Sequence, residues 1–331
     1  MLKTAFRRSL LAAALVLTPL AAQAAEKPKV VASFSILGDL VHQIAGDDVD
    51  LTVLVGPDGD AHTYEPTPAD AKALGAADVV VVNGLGLEGF MPRLLSASGF
   101  KGREIVASEG VTPRLFTPEE AAHEEAEEAE AGHDHADHDH DHDHDAAHAG
   151  HDHGPQDPHA WQSLSNGVIY ARNILAGLSA ADPDHAAEYK TRADALIATM
   201  ETLDKTLKAE FAAIPEERRR IVTSHDAFGY FGQAYGIEFI APQGMSTESE
   251  ASAADVAAIV RQIRDEHISA LFVENITDPR LIEQIARETG LKAGGELFSD
   301  ALSPPSGPAA TYIAMFENNS KKLLAALAAT N

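Results

Sequence analysis

Nine histidines are interleaved with aspartates in one short internal segment of the chain. They are His133, His135, His138, His140, His142, His144, His148, His151 and His153. Imidazole nitrogen is the usual ligand for borderline-soft divalent metals, and carboxylate oxygen adds harder ligands. The composition therefore favours metal capture over a passive acidic linker. We expect the surrounding residues 117–157 to form a disordered loop, because they have little apolar surface to offset the entropy of ordering.

Three further histidines lie in contexts that resemble the exits of strands into loops. His62 follows the second predicted strand, and His225 directly follows a later one. His159 lies in an Asp-Pro-His-Ala-Trp motif. Ligands of open α/β sheets gather at the carboxyl ends of strands. Each histidine alone is typical of an ordinary surface or hydrogen-bonded position. Together, beside a metal-attracting loop, they predict a metal site.

Alternating strands and helices would position these residues. Before the histidine-rich loop, apolar β-branched runs predict strands at 30–34, 51–55, 79–82 and 105–106, with helices at 37–44 and 68–74. Thr67 is expected to cap the second helix. After the loop, strands are predicted at 221–223, 238–241 and 271–273, with helices at 255–266 and 279–289, the last ending at Gly290. Strand–helix–strand order indicates parallel sheets with helices on both faces.

A long helix is predicted between the two halves. Apolar residues recur at spacings of three and four over residues 182–214, with Asp182 as the cap, Pro183 in the first turn and Pro215 as the stop. About thirty helical residues span about 45 Å, which suits a rigid strut. We therefore expect two α/β lobes, each with a mainly parallel sheet flanked by helices, joined by this helix. The N-terminal lobe would comprise 25–181 and the C-terminal lobe 215–331.

The first residues are typical of an export signal. Lys3, Arg7 and Arg8 precede an apolar stretch, and an Ala-Gln-Ala sequence follows it. This order predicts a signal peptide at 1–24 and a soluble periplasmic protein. The chain has no cysteine, which excludes disulfides, thiolate metal ligands and a lipid anchor on cysteine. Its formal net charge of −26 argues against nucleic acid or anionic membranes as partners and would attract cations.

Four motifs in chain order carry a family resemblance. They are Asp60-x-His62-x-Tyr64-Glu65-Pro66-Thr67-Pro68, Asp157-Pro158-His159-x-Trp161, Thr223-Ser224-His225-Asp226-Ala227-Phe228-x-Tyr230-Phe231 and Phe298-Ser299-Asp300-Ala301-Leu302. With them the chain resembles the metal-binding substrate-binding proteins of bacterial ABC transporters for zinc and manganese. The resemblance implies two α/β lobes joined by one long helix. It also implies one divalent ion held between the lobes for delivery to a membrane permease, with no enzymatic activity.

Carried over by position, the resemblance gives four metal ligands. These are His62, His159, His225 and Asp300. Manganese members carry Glu where His225 stands, and three imidazoles with one carboxylate favour zinc by ligand softness. The histidine-rich loop is also a feature of zinc members. Some zinc members have Glu directly before the first histidine, whereas this chain has Ala61. The carboxylate ligand is then expected to be Asp300, with Asp60 and Glu65 as alternatives.

The expected function is capture of Zn²⁺ in the periplasm, as a monomer, and its transfer to an ABC permease. A periplasmic zinc chaperone is a candidate loading partner. One alternative is a zinc buffer or chaperone that acts mainly through the histidine-rich loop. A less favoured alternative is a zinc hydrolase with three histidines and an open coordination position. The chain has no His-Glu-x-x-His helix and no evident general base for that chemistry.

Overall fold

The computed structural model of the chain describes residues 26–115, 156–249, 251–266, 268 and 270–328. The predicted signal peptide and all nine histidines of the loop lie outside the described residues. Leu115 and Gln156 pair in an antiparallel bridge, so the residues that flank segment 116–155 lie side by side. Asp157, which the sequence analysis assigned to the loop, is completely buried. This is a correction to the loop's end, and its cause is the contact of the Asp157 carboxylate with Arg114 and His159.

The N-terminal lobe is built on four parallel strands in the order β2-β1-β3-β4. The strands are β1 (Lys29–Phe34), β2 (Asp50–Val55), β3 (Val79–Val82) and β4 (Arg103–Val106). All four valines of β3 are buried, as expected for a parallel strand covered on both faces. The predicted strands are confirmed, with ends that shift by one or two residues.

Three helices connect these strands. They are α1 (Ser35–Ala45), α2 (Pro68–Gly75) and α3 (Met91–Ser98). Thr67 caps α2 as predicted: its hydroxyl accepts a hydrogen bond from the Asp70 amide, and the Asp70 carboxylate accepts one from the Thr67 amide at 2.6 Å. The sequence analysis did not predict α3.

Two helices follow the described end of the loop. They are α4 (Leu164–Ala181) and the long helix α5 (Ala186–Ala212). The sequence analysis missed α4 and started the long helix too early. Residues Pro183–His185 form a 3-10 turn, because the Asp182 carboxylate accepts hydrogen bonds from the Tyr189 hydroxyl and the His185 ring instead of capping the backbone. The long helix packs against α1 in the first lobe and reaches the second lobe at its other end.

The C-terminal lobe repeats the parallel plan in the order β6-β5-β7-β8. Its strands are β5 (Arg220–Val222), β6 (Glu238–Ile240), β7 (Ala270–Glu274) and β8 (Ala293–Leu297). Its helices are α6 (Gly229–Tyr235), α7 (Ala253–Asp265), α8 (Arg280–Thr289) and α9 (Tyr312–Ala328). Gly290 ends α8 in the left-handed conformation at φ 77°, as its position in the sequence predicts. The sequence analysis did not predict α6, α9 or β8.

One hydrophobic core runs through both lobes. It extends from the valines of the first sheet, along α4 and α5, to the aromatic side chains of the second lobe. At the second lobe, the Phe231 ring lies 5.7 Å from Phe211 of α5 and 5.9 Å from Phe316 of α9, measured between ring centroids. A smaller cluster fills the space under α7 and α8. The predicted fold class, two parallel α/β lobes bridged by a long helix, is therefore confirmed. Within the described ranges, no helix has both the length and the apolar character that crossing a membrane requires.

Candidate metal centre

Four side chains converge where the carboxyl ends of the two sheets face each other. His62 lies in the loop after β2, and His159 directly precedes a short 3-10 turn that leads into α4. His225 follows β5, and Asp300 follows β8. His62 is 5% exposed and the other three are completely buried. The structure thus brings together all four residues that the family resemblance had indicated, two from each lobe.

The four side chains present one ligand atom each to a common point. The Asp300 Oδ2 atom lies 3.0 Å from the Nε2 of His62, 3.3 Å from that of His225 and 3.6 Å from that of His159. The Nε2 atoms of His62 and His159 are 3.3 Å apart. A tetrahedral zinc site with metal–ligand bonds near 2.0–2.1 Å has ligand atoms about 3.3–3.4 Å apart. These four distances are close to those between the ligand atoms of a tetrahedral metal site.

The chemistry of the donor set also fits a metal. No described residue forms a well-directed hydrogen bond with the Nε2 of His225 or with the second carboxylate oxygen of Asp300. Buried polar atoms normally have partners, because leaving them unpaired costs free energy. A cation at the centre of the cluster would satisfy such atoms.

Neighbouring charges hold His159 in place. Its Nδ1 lies 2.9 Å from Asp157 Oδ1, and the other oxygen of that carboxylate lies 3.1 Å from Arg114. Burial by itself would lower the pKa of His159, but Asp300 and Asp157 outweigh burial and raise the pKa to about 9. The Trp161 ring packs on the His159 ring with centroids 5.3 Å apart, and its indole N–H donates to the Ser299 carbonyl across the cleft.

His225 has a comparable environment in the second lobe. Its Nδ1 lies 2.7 Å from Oε2 of Glu274. Burial alone would lower the pKa of His225, but the charges of Glu274 and Asp300 raise it well above its usual value. Conversely, burial would raise the pKa of Asp300, but His159 and His225 hold it well below the usual range. The cluster is therefore strongly coupled electrostatically. The sequence analysis missed Glu274, whose only signal was its position at the end of a predicted strand.

The two alternative carboxylates lie outside the four-residue cluster. Asp60 Oδ1 accepts a hydrogen bond from the His62 amide at 2.8 Å, and its other oxygen accepts one from the Thr247 hydroxyl of the second lobe. Asp60 therefore shapes the loop that carries His62. Glu65 is exposed and lines a cavity of about 580 Å³ that borders His62, with Glu248 on the opposite lobe. This cavity adjoins the side of the cluster that His62 occupies.

Two α/β lobes that close a buried three-histidine, one-aspartate cluster between their sheets define a metal-binding substrate-binding protein. The comparison with known families agrees. Residues 30–326 match the model of the family described as "Zinc-uptake complex component A periplasmic", and the chain belongs to this family.

Individual relatives carry different metals in their names. The chain is 33% identical over 309 residues to the iron ABC transporter substrate-binding lipoprotein MtsA of Streptococcus pyogenes serotype M1, covering 92% of this chain and 90% of that protein. It is 31% identical over 313 residues to the manganese ABC transporter substrate-binding lipoprotein PsaA of Streptococcus mitis, covering 93% and 91%. Among solved structures, the periplasmic zinc binding protein TroA from Treponema pallidum is similar with a TM-score of 0.77 and 30% identity, covering 91% of this chain and 99% of that one.

The family assignment confirms the resemblance that the four motifs suggested. The chain is a metal-binding component of an ABC importer, a class that works with a membrane permease and is not an enzyme class. The relatives are named for iron, manganese and zinc, so family membership alone does not identify the metal of this chain.

Proposed function

We propose that the chain binds one Zn²⁺ ion between its lobes and delivers it to the permease of an ABC importer. The proposed ligands are His62, His159, His225 and Asp300. The observation that carries the proposal is the spacing of their four ligand atoms, with Asp300 Oδ2 within 3.6 Å of all three Nε2 atoms.

Ligand softness supports zinc over manganese. Imidazole suits Zn²⁺, whereas sites for Mn²⁺ are richer in oxygen ligands and commonly octahedral. The cluster supplies three nitrogens and one aspartate oxygen, all within 4.8 Å of one another. His225 sets the ratio of nitrogen to oxygen ligands, because replacing its nitrogen by a carboxylate oxygen would give two nitrogen and two oxygen ligands.

The same geometry argues against the hydrolase alternative. Four protein ligands fill a tetrahedral zinc site, which leaves no coordination position for a reactive water. The buried cluster is suited to holding an ion and releasing it unchanged. An assay for esterase or peptidase turnover by the zinc-loaded protein would test this, and we expect no activity above that of free zinc.

Single-ligand variants test the site. His159→Ala and His225→Ala should abolish high-affinity zinc binding, measured in competition with a chelator of known affinity. Circular dichroism should show that both variants keep an intact fold. His42→Ala is the matched control, because His42 lies on the exposed face of α1. Wild-type affinity in either ligand variant would refute the assignment.

We further propose that the histidine-rich loop is an auxiliary zinc collector and that residues 1–24 direct export to the periplasm, where the protein acts as a monomer. A tethered loop holds captured ions at an effective concentration of roughly millimolar near the site. The residues that flank the loop support this proposal. Leu115 and Gln156 pair directly beside Asp157, which contacts His159.

Deleting residues 119–153 separates transport from the buffer alternative. We expect the deleted protein to retain one tight zinc ion, to lose weaker additional sites, and to load more slowly from a buffered donor or from a zinc chaperone. If the deletion removed all zinc binding, the loop would be the main site and the buffer alternative would hold. If stoichiometry and loading rate stayed the same, the loop would be only a linker.

A further inference from the structure

Glu274 is a buried carboxylate that touches a proposed ligand without joining the ligand cluster. It is the last residue of β7 and is 2% exposed. Its Oε1 accepts hydrogen bonds from the backbone N–H groups of Ser224 and His225 at 2.8 and 2.9 Å. Its Oε2 lies 2.7 Å from the Nδ1 of the His225 ring. One carboxylate therefore accepts hydrogen bonds from the backbone at His225 and lies within ion-pair distance of the His225 ring.

This contact decides which nitrogen of His225 faces the metal. A neutral imidazole binds a metal through one nitrogen while the other carries the proton. A carboxylate beside Nδ1 keeps the proton there and leaves the Nε2 lone pair directed at the cluster. His159 also has a carboxylate at this nitrogen: Asp157 Oδ1 lies 2.9 Å from its Nδ1 in a hydrogen bond. Each lobe thus supplies one ligand histidine with a carboxylate at its Nδ1.

The two carboxylates differ in their charge balance. Asp157 is paired with Arg114 at 3.1 Å, so its charge is already compensated. The carboxylate of Glu274 contacts His225 and two backbone amides. With a divalent ion in the cluster, the charges of Asp300 and Glu274 together equal that of the metal. A buried charge without a partner is costly, so this balance favours a divalent cargo.

We propose that Glu274 is the positioning residue for His225 and the carboxylate that completes the charge balance of the loaded site. The proposal rests on the proposed function, since it concerns binding of Zn²⁺ by His225. Removing the charge while keeping the size, as in Glu274→Gln, should weaken zinc binding by about 10- to 100-fold, the range for residues that hold a ligand histidine.

Glu88 provides a matched control in the other lobe. It is also buried, at 7% exposure, and lies soon after the carboxyl end of β3. Its carboxylate accepts hydrogen bonds from the Ser33 hydroxyl and from the backbone N–H groups of Asn83 and Gly84. Glu88→Gln therefore changes a buried glutamate whose carboxylate binds backbone N–H groups and a serine hydroxyl but does not contact a ligand histidine.

The experiment measures zinc affinity by chelator competition in the full-length wild type, Glu274→Gln and Glu88→Gln proteins. It adds the long-range ¹H–¹⁵N spectrum of the histidine rings in the zinc-loaded proteins. We expect only Glu274→Gln to lose affinity and to shift the Nδ1–H proton of His225 upfield, because an amide oxygen is a weaker acceptor than a carboxylate. This ring signal would not move if Glu274 served only the fold.

Four outcomes are decisive. Zinc affinity within threefold of wild type in Glu274→Gln would overturn the inference, as would an unchanged His225 ring signal. An equal loss of affinity in Glu88→Gln would also overturn it, because the effect would then come from general destabilisation. If the wild-type protein showed no high-affinity zinc binding, the proposed function itself would be refuted. This outcome separates failure of the proposed function from failure of the inference about Glu274.

Discussion

Replacing Asp300 by Asn tests how much the single carboxylate of the cluster contributes to metal binding. The change keeps the size of the side chain and removes its charge. In the structure, one oxygen of Asp300 lies 3.0, 3.3 and 3.6 Å from the three imidazole Nε2 atoms, and the residue is completely buried. The lost interaction is therefore that between a buried anion and the metal.

Removing one partner of a buried ion pair costs about 3–5 kcal/mol, which corresponds to a loss of affinity of about 10²- to 10³·⁵-fold. The assay is competition against a chelator of known zinc affinity, with circular dichroism as the test of folding. Asp60→Asn is the matched control, because Asp60 is near in sequence to His62 but binds the His62 amide and Thr247. We expect Asp60→Asn to lose less affinity than Asp300→Asn, because Asp60 binds the backbone amide of His62 rather than the metal or the ligand ring.

Two results would refute this reasoning. If Asp300→Asn bound zinc as tightly as wild type, the carboxylate would not be a ligand. If Asp60→Asn lost as much as Asp300→Asn, the alternative carboxylate near His62 would be the ligand, and the metal-bound arrangement would differ from the one described.

Three further predictions follow from the site and the core. Burial would lower the pKa of His159, but Asp300 and Asp157 raise it to about 9 in the metal-free protein, so at neutral pH zinc must displace a proton. Calorimetry in buffers of different ionisation enthalpy should therefore detect at least one proton released, and affinity should strengthen as pH rises towards about 9; zinc binding without proton release would contradict this. His225→Glu should narrow the preference for Zn²⁺ over Mn²⁺ in competition calorimetry, because it adds an oxygen ligand, and an unchanged ratio would count against His225 as the selecting residue. Phe231→Ala should lower the free energy of unfolding by about 3–5 kcal/mol in denaturant titrations while zinc affinity changes little, and a loss below about 1 kcal/mol would show that the shared core matters less than its burial indicates.

Local signals in the sequence were sufficient for much of the fold. Uninterrupted valines predict β3, and a Thr-Pro start with Asp70 in the first turn predicts α2 and its cap. Strand β8 escaped prediction because its sequence Ala-Gly-Gly-Glu-Leu is rich in glycine and mostly exposed at a sheet edge. The helix α4 was not predicted, although Leu164, Val168, Ala171, Ile174 and Leu178 recur at helical spacing and are buried.

The candidate site, like the fold, could be predicted from the sequence only in part. The motifs around His62, His159, His225 and Asp300 indicate the ligand set through the family resemblance. Their convergence depends on packing two lobes together, which no local pattern encodes. Glu274 could not be inferred because its partner His225 is 49 residues away, and the contact exists only once β5 and β7 pair in the sheet.

The start of the long helix shows how a side chain can change its local role. Asp182 followed by Pro183 is a typical helix start, yet the Asp182 carboxylate accepts hydrogen bonds from His185 and Tyr189. These local side-chain partners compete with the backbone amides, so the first turn becomes a 3-10 turn and the α-helix begins at Ala186.

The most direct test of the central claim is a crystal structure of the zinc-loaded protein with anomalous diffraction recorded on both sides of the zinc absorption edge. We expect one strong zinc peak between the lobes, about 2.0–2.1 Å from the Nε2 atoms of His62, His159 and His225 and about 2.0–2.2 Å from an oxygen of Asp300. An anomalous peak at any other set of residues, with these four side chains free of metal, would contradict it.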